Sequence, residues 1–314
     1  MILFLSAAVH RLSIYQFGYH VYDILKDSTR YPSVYAEVGD LAEYRQCRDE
    51  VVPDIIIYNY HYVRMPWLTR AVLDETKKIA HVSLHHESAA VDFDYYLFAD
   101  PTMKAGCHWR YGRAGGLWCR IGRPIPKYTN NFELPAIPTI GSFGISVGKK
   151  NYDLLVARVN AEFDQAIINI NIMKGRSGKA SLVAALTKQY QALITKKDIH
   201  LNVTRLFMSE PNLLDFLGKN TINVFHYRDS GSRRVGISSA IDYALAVKRP
   251  IAVTKTNQLR HIWSRAPEVC LENHTLPQII AMGTAPLQQF YDEWTSDNIL
   301  TDIETNLDGI MRSR

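Results

Sequence analysis

Between Thr221 and Thr254 the chain reads TINVFHYRDSGSRRVGISSAIDYALAVKRPIAVT. A short apolar run breaks into a polar loop carrying Arg233 and Arg234, becomes helical in pattern from about Ser238, and returns through Arg249-Pro250 to apolar residues. A strand, a loop and a helix in that order place backbone N–H groups and a helix N-terminus at the C-terminal edge of a parallel sheet. A phosphate or pyrophosphate is held favourably there. The loop at 231–239, with Gly236, Ser238 and Ser239 in its second half, therefore reads as an anion site.

Two polar clusters in the first half have the chemistry of a proton acceptor. Asn59-Tyr60-His61 follows the apolar run DIIIY, and His85-His86-Glu87 follows HVSL, so both fall at strand ends. A His or Glu at such a position can take the proton of a hydroxyl. His85, His86 and Glu87 form the denser cluster and are favoured; His61 competes with the reading of a buried, hydrogen-bonded histidine. A zinc site built from His61, His85 and His86 lacks the short spacings of metal motifs, and no metal or other cofactor is expected. The segment GRSGKAS resembles a phosphate loop only loosely, because Ala180 stands where Ser or Thr would hold magnesium.

These residues need elements to position them. Strand candidates in the first half are Ile2–Leu5, Ser33–Val38, Asp54–Tyr60, Ile79–Leu84, Tyr95–Ala99 and Leu117–Ile121, with helical patterns after the first four. The proline-rich stretch Pro124 to Pro138 reads as a linker. A second series follows with strands at Thr139–Ser146, Ala166–Ile172, Ile199–Phe207, Thr221–His226, Pro250–Val253 and Val269–Leu271. Its helices lie near Tyr152–Phe163, Ser181–Leu193, Asn212–Leu217, Ser238–Val247, Gln258–Trp263 and Leu276–Met282. Alternation of this kind implies parallel sheets covered on both faces. The expected organisation is α/β, with Rossmann-like domains at 1–135 and 136–285 whose sheets face each other across a ligand-binding cleft. Residues 286–314 form C-terminal helices, the last capped by Ser296, whose apolar stripe Ile299, Leu300, Ile303, Leu307 and Ile310 returns to the first domain.

Composition narrows the function classes. At 47% hydrophobic and 21% charged, the 314 residues are globular rather than disordered. The opening apolar run is too short to span a bilayer and lacks a basic leader, so it reads as a strand. Four scattered cysteines without metal spacing suggest a reducing, cytoplasmic setting. Charge is uneven: residues 136–265 hold 19 Lys+Arg against 8 Asp+Glu, a net +11, while residues 266–314 hold 2 against 8. A basic segment attracts a nucleotide diphosphate, a nucleic acid or an anionic membrane surface; the alternative is a solvated surface balanced by the acidic tail.

With these motifs in place, the chain resembles a nucleotide-sugar-dependent glycosyltransferase of the GT-B fold, close to the retaining group with a two-glutamate motif. In that group a Gly-Arg turn and a downstream lysine face the diphosphate. PTIGSFGISVGKKNYDLLV offers Gly141 as the glycine and Lys149 or Lys150 as the lysine, with Ser142 where arginine is common. The two-glutamate motif falls on GSRRVGISSAIDYALAVKRP, with Asp242 at the second acid, the one that holds the donor ribose, and Arg234 at the first. The resemblance implies that Arg233 and Arg234 serve as replacement phosphate ligands and that Phe207 and Met208 lie where the nucleobase is held, although ordinary core packing is the simpler reading of Phe207. A helix-surface acid is the plain alternative for Asp242, and a solvated turn for Lys149 and Lys150. Gln16 and Gly18 are weaker donor-facing candidates. Asp92-Phe93-Asp94 imitates the metal-binding DxD of the other large glycosyltransferase fold but reads here as a surface turn.

The activity so implied is metal-independent transfer of a sugar from a UDP- or GDP-linked donor to a hydroxyl. The acceptor is a glycan, a lipid-linked sugar or another hydroxyl compound. A nucleic acid or a peripheral membrane contact is suggested by charge alone. The same fold also serves nucleotide-sugar epimerases, and loss of the first glutamate fits a degenerate glycan- or nucleotide-binding protein.

Overall fold

The computed structural model describes residues 1–8, 13–85, 91–102, 117–144, 150–172, 180–229 and 236–313. The chain divides into two compact units: Met1–Ile125 with Arg234–Gly236 and Asp292–Arg314, and Pro126–Arg233 with Ile237–Tyr291.

In the first unit, β1 (Ile2–Ala7), β2 (Ser33–Val38), β3 (Ile55–Asn59), β4 (Ala80–His85), β5 (Tyr95–Phe98) and β6 (Leu117–Arg120) form one parallel sheet in the order β2-β1-β3-β4-β5-β6. The apolar runs that announced β1 and β3 are wholly buried, as strands covered on both faces must be. The connecting helices are α1 (Ser13–Leu25), α2 (Leu41–Val51) and α3 (Arg70–Asp74). Asp40 starts α2 by accepting from the N–H groups of Ala42 and Glu43, both at 2.9 Å. Leu3, Leu5, Tyr58, Met65, Leu73 and Phe93 pack together on one face. The helical pattern expected after the fourth strand falls largely on residues 86–90, which lie outside the described residues.

The second unit repeats the plan with β7 (Thr139–Gly144), β8 (Ala166–Ile172), β9 (Ile199–Thr204), β10 (Ile222–Phe225) and β11 (Ile251–Val253), parallel in the order β11-β10-β7-β8-β9. Its helices are α4 (Tyr152–Glu162), α5 (Ala180–Gln191), α6 (Glu210–Gly218), α7 (Ala240–Ala246), α8 (Arg260–Trp263), α9 (Leu276–Met282) and the start of α10 (Gln288–Glu293). Ile140, Val156, Ile168, Ile170, Ile222 and Val224 belong to its core. Two expectations are corrected. The strand at Val269–Leu271 is a 3-10 turn, Pro267–Val269, followed by a single bridge from Cys270 to Val253. Pro267, fixed in φ and lacking an N–H, suits the first turn of a helix and cannot serve a ladder. Residues 126–135 also pack as part of this unit. Asn130 donates to the carbonyls of Gly218 and Val247, and Arg249 to those of Gly218, Phe132 and Glu133. The boundary therefore falls at Ile125/Pro126.

The last helix, α11 (Ser296–Arg312), lies on the first unit. Ile299, Ile303, Leu307 and Ile310 are buried. Ser28 and Arg30 donate to Glu304 and Asp308, both at 2.6 Å. A side chain at Gly122 would lie 2.9 Å from Ile299 Cγ1, so this contact needs a glycine. Its cap is Thr295, which accepts from the Asn298 N–H, and not Ser296. Among the described residues no helix is long and apolar enough to cross a membrane.

Candidate functional site

In the second sheet the chain moves from β7 outward through β8 to β9, then returns to place β10 on the other side of β7. The strand order therefore reverses between β7 and β10, and the C-terminal edge at such a switch point is where sheets of this kind bind ligands. β7 ends at Gly144 and β10 at Phe225. Beyond the intervening loop, Asn151 adopts φ 40°, a left-handed conformation that asparagine tolerates better than most residues, and starts α4. The preceding residue, Lys150, is thereby turned back onto the strand end: a Cβ at Gly144 would lie 2.5 Å from Lys150 Cε. Its ammonium lies 3.3 Å from the centroid of the Tyr227 ring, and the Tyr227 phenol lies 3.3 Å from Ser238 Oγ. A cation against a ring is worth roughly 0.5–2 kcal/mol, the more so when water is excluded. Tyr227 is buried, and burial pushes its phenol well above the ordinary value, so the ring stays neutral. The backbone of Tyr227 is fixed in turn by Thr254, whose hydroxyl accepts from its N–H and donates to its carbonyl, both at 2.9 Å.

The structure thus brings Lys150 and Ser238 together through Tyr227, which the sequence reading passed over. Ser239 precedes α7, and its carbonyl accepts from the Asp242 N–H at 3.1 Å. Gly236 is half-buried. Asp242 is 2% exposed, so the alternative of a helix-surface acid is corrected: the carboxylate sits inside, where an ion is kept only if other groups compensate it. The next residue, Tyr243, is buried with its hydroxyl 3.4 Å from Glu210, and its phenol is pushed up by burial first and by Glu210 second.

Gly141 occupies a different place. It lies within β7, in register with Asn169 of β8 and Asn223 of β10, and a Cβ there would come 1.9 Å from Asn220 Nδ2. Asn202, Asn169, Asn220 and Asn223 hand one hydrogen bond to the next across this face at 3.0–3.2 Å. Gly141 makes room for the chain of amides; the glycine beside the lysine is Gly144. Farther along, buried Asn171 accepts from the Leu206 N–H and donates to the Leu206 carbonyl, both at 3.2 Å, fixing the loop after β9. That loop presents Leu206 at 55% and Phe207 at 41% exposure, which corrects the core reading of Phe207; Met208 is half-buried beside them. Lys149, Arg233 and Arg234 lie outside the described residues.

In the first unit the corresponding switch point lies between β1 and β3. Asn59 occupies it, donating to Ser6 Oγ at 3.0 Å, and Gly18 lets α1 approach, since a Cβ there would lie 2.2 Å from the Asn59 amide. Gly18 is thus explained by packing. His61 is half-buried and its Nδ1 accepts from the Val63 N–H at 3.2 Å. With Nδ1 accepting, the proton of the neutral ring sits on Nε2. His85 is the last residue of β4, opposite Phe98, rather than a loop residue after it. His86 and Glu87 lie outside the described residues. Asp92-Phe93-Asp94 is only partly a surface turn: Phe93 is buried, and Arg70 binds the Asp92 carbonyl and the Asp94 carboxylate. Among the described residues no group of His, Cys, Asp and Glu has the arrangement of a metal site.

No protein-family model and no curated protein sequence matches the chain. Solved structures do share its fold. Anabaena Alr3699/HepE in complex with UDP-glucose superposes with a TM-score of 0.66 over 98% of this chain and 99% of that one, at 12% identity. An α,α-trehalose-phosphate synthase (UDP-forming) from Burkholderia xenovorans gives 0.67 over 99% and 100%, at 9% identity. A glycosyltransferase from Rickettsia africae gives 0.61 over 100% and 99%, also at 9%. The two parallel α/β units are those of the GT-B glycosyltransferase structures.

Proposed function

We propose that the protein is a glycosyltransferase that moves a sugar from a nucleoside diphosphate donor to a hydroxyl acceptor, with the donor held by the second unit. The observation that carries this reading is Lys150 held over Tyr227 at the β7/β10 switch point, with buried Asp242 in the helix that follows β10. The fold shared with structures holding UDP and glucose supports it.

The chemistry follows from where charge develops. As the sugar's anomeric C–O bond breaks, the electron pair stays with the β-phosphate, and a cation already in place stabilises that charge without reorganisation. Lys150 supplies it, joined by Lys149, Arg233 and Arg234. In this reading side-chain cations do the work that a divalent metal does elsewhere. Asp242 accepts from the ribose hydroxyls, and the loop at 206–208 meets the base. The three described cysteines, Cys47, Cys119 and Cys270, are free thiols, in keeping with a cytoplasmic enzyme.

The test is a thermal-shift and calorimetric panel of UDP, GDP, UDP-glucose and UDP-N-acetylglucosamine, with and without chelator. Stabilisation by at least one of them in chelator is expected, because a ligand specific for the folded state raises apparent stability. No response to any nucleotide would overturn the reading; sugar isomerisation without acceptor would replace it with an epimerase.

A further inference from the structure

We propose that the first unit carries a carbohydrate subsite built on Tyr62 and Asp92, so that the acceptor is a neutral glycan; the assignment of this sugar as acceptor rests on the transfer reading above. A hollow of about 400 Å³, within the range of small-ligand pockets, is walled by Tyr60 and Tyr62, which follow β3, by Thr69 and Arg70 at the start of α3, and by Asp92. Tyr62 is 49% exposed, and its ring lies parallel to that of His61, with centroids 5.5 Å apart and planes 4° from coincident. The hydrogen bond from Val63 N–H to His61 Nδ1 fixes this backing ring. The result is a flat aromatic shelf on one side of a hollow that sets apolar walls, Pro66, Leu68 and Val91, beside the polar Thr69, Arg70 and Asp92.

The charges of the wall decide what it takes. Arg70 is paired with Asp74 and with Asp94, each at 2.8 Å, and also donates to the Asp92 carbonyl at 3.1 Å. Hydrogen bonds to Asp94 and Asp74 raise its pKa, so the guanidinium stays charged and the two carboxylates balance that charge. With Asp92 added, the wall carries no excess positive charge, so it offers nothing to a phosphate, an anionic lipid surface or a nucleic acid. A pyranose suits it. The C–H groups on one face of the sugar carry partial positive charge and meet the negative face of a tyrosine ring, while vicinal hydroxyls donate to a carboxylate. Arg70 fixes the backbone of Asp92, so that carboxylate is presented from a set position.

The experiment applies the full chain to an array of neutral and acidic oligosaccharides built from glucose, galactose and N-acetylhexosamines, and to phosphatidylglycerol vesicles. UDP binding is measured in parallel. Wild type should bind one or more neutral glycans. Tyr62→Ala should weaken that binding about tenfold or more, Tyr62→Phe should retain it, and Asp92→Asn should weaken it about tenfold, all with UDP affinity unchanged. Absence of any neutral-glycan binding, wild-type binding by Tyr62→Ala, or vesicle binding that depends on Tyr62 would each overturn the proposal. Loss of UDP binding with glycan binding intact would sink the transfer reading alone and leave the sugar subsite standing.

Discussion

Lys150 and Tyr227 are 77 residues apart in sequence, yet the ammonium of one lies 3.3 Å from the ring centroid of the other at the end of the second sheet. Gly144 is part of the same arrangement, because only a residue without a Cβ leaves space for the lysine stem. Lys150→Met should weaken UDP binding by roughly 10- to 100-fold, the loss expected for a charge-assisted hydrogen bond, with little change in melting temperature. Gly144→Ala should shift the lysine and give a similar loss. Calorimetric affinities equal to wild type for both variants would remove this lysine from the donor site.

Gly141→Ala should behave differently although the residue is only three positions away. Its new methyl would strike Asn220 Nδ2, whose amide is tied to Phe216, Asn169 and Asn223. A fully buried, hydrogen-bonded amide in the turn before β10 cannot swing away as a lysine stem can. Destabilisation of roughly 1–3 kcal/mol is expected from overpacking, read as a lower urea midpoint. Unchanged unfolding would show that the amide chain tolerates displacement.

Asp242→Asn tests the ribose assignment. The amide keeps the shape of a side chain that is 2% exposed, so the variant should fold. Removing the acceptor charge should weaken UDP by about tenfold while leaving 2′-deoxy-UDP, which lacks the partner hydroxyl, less affected. Equal losses for the two nucleotides would assign the carboxylate to another task.

His81 makes a pH prediction. It is 2% exposed, bonded to Tyr58 and Thr76, and burial pulls its pKa from 6.5 down to about 4. Folding therefore favours the neutral ring. Below pH 6.5 the unfolded chain binds a proton that the folded chain refuses, so stability falls with pH between about 6.5 and 4 and levels off below. The total is on the order of 3 kcal/mol. In His81→Gln this part of the acid sensitivity should be absent from urea titrations at pH 7 and pH 4.5.

Much of the fold was legible because its strands are buried on both faces and read as unbroken apolar runs, as in DIIIY and AIININI. Val269–Leu271 misled because periodicity cannot distinguish a short strand from a 3-10 turn, and Pro267 held the better signal. The site was legible in part. Lys150, Ser238 and Asp242 stand out by charge, by polarity and by position before or within a helix. Tyr227 does not, since an aromatic residue after a strand usually signals core. The distinction between Gly141 and Gly144 depends on Asn220 and on the turn at Asn151, and no local pattern reveals either contact. Asn171 was hidden likewise, its partner Leu206 being 35 residues distant.

The helix α11 gives the two units different histories during synthesis. The second unit is nearly one continuous stretch, so its sheet can assemble as soon as that stretch leaves the ribosome. The first is made early but lacks the helix that seats against α1 and Gly122 until residues 296–312 emerge. At about 5–20 residues per second, α1 waits on the order of ten seconds or more with apolar surface exposed to solvent. Chaperone demand and premature association should therefore concentrate on the half of the molecule that is translated first.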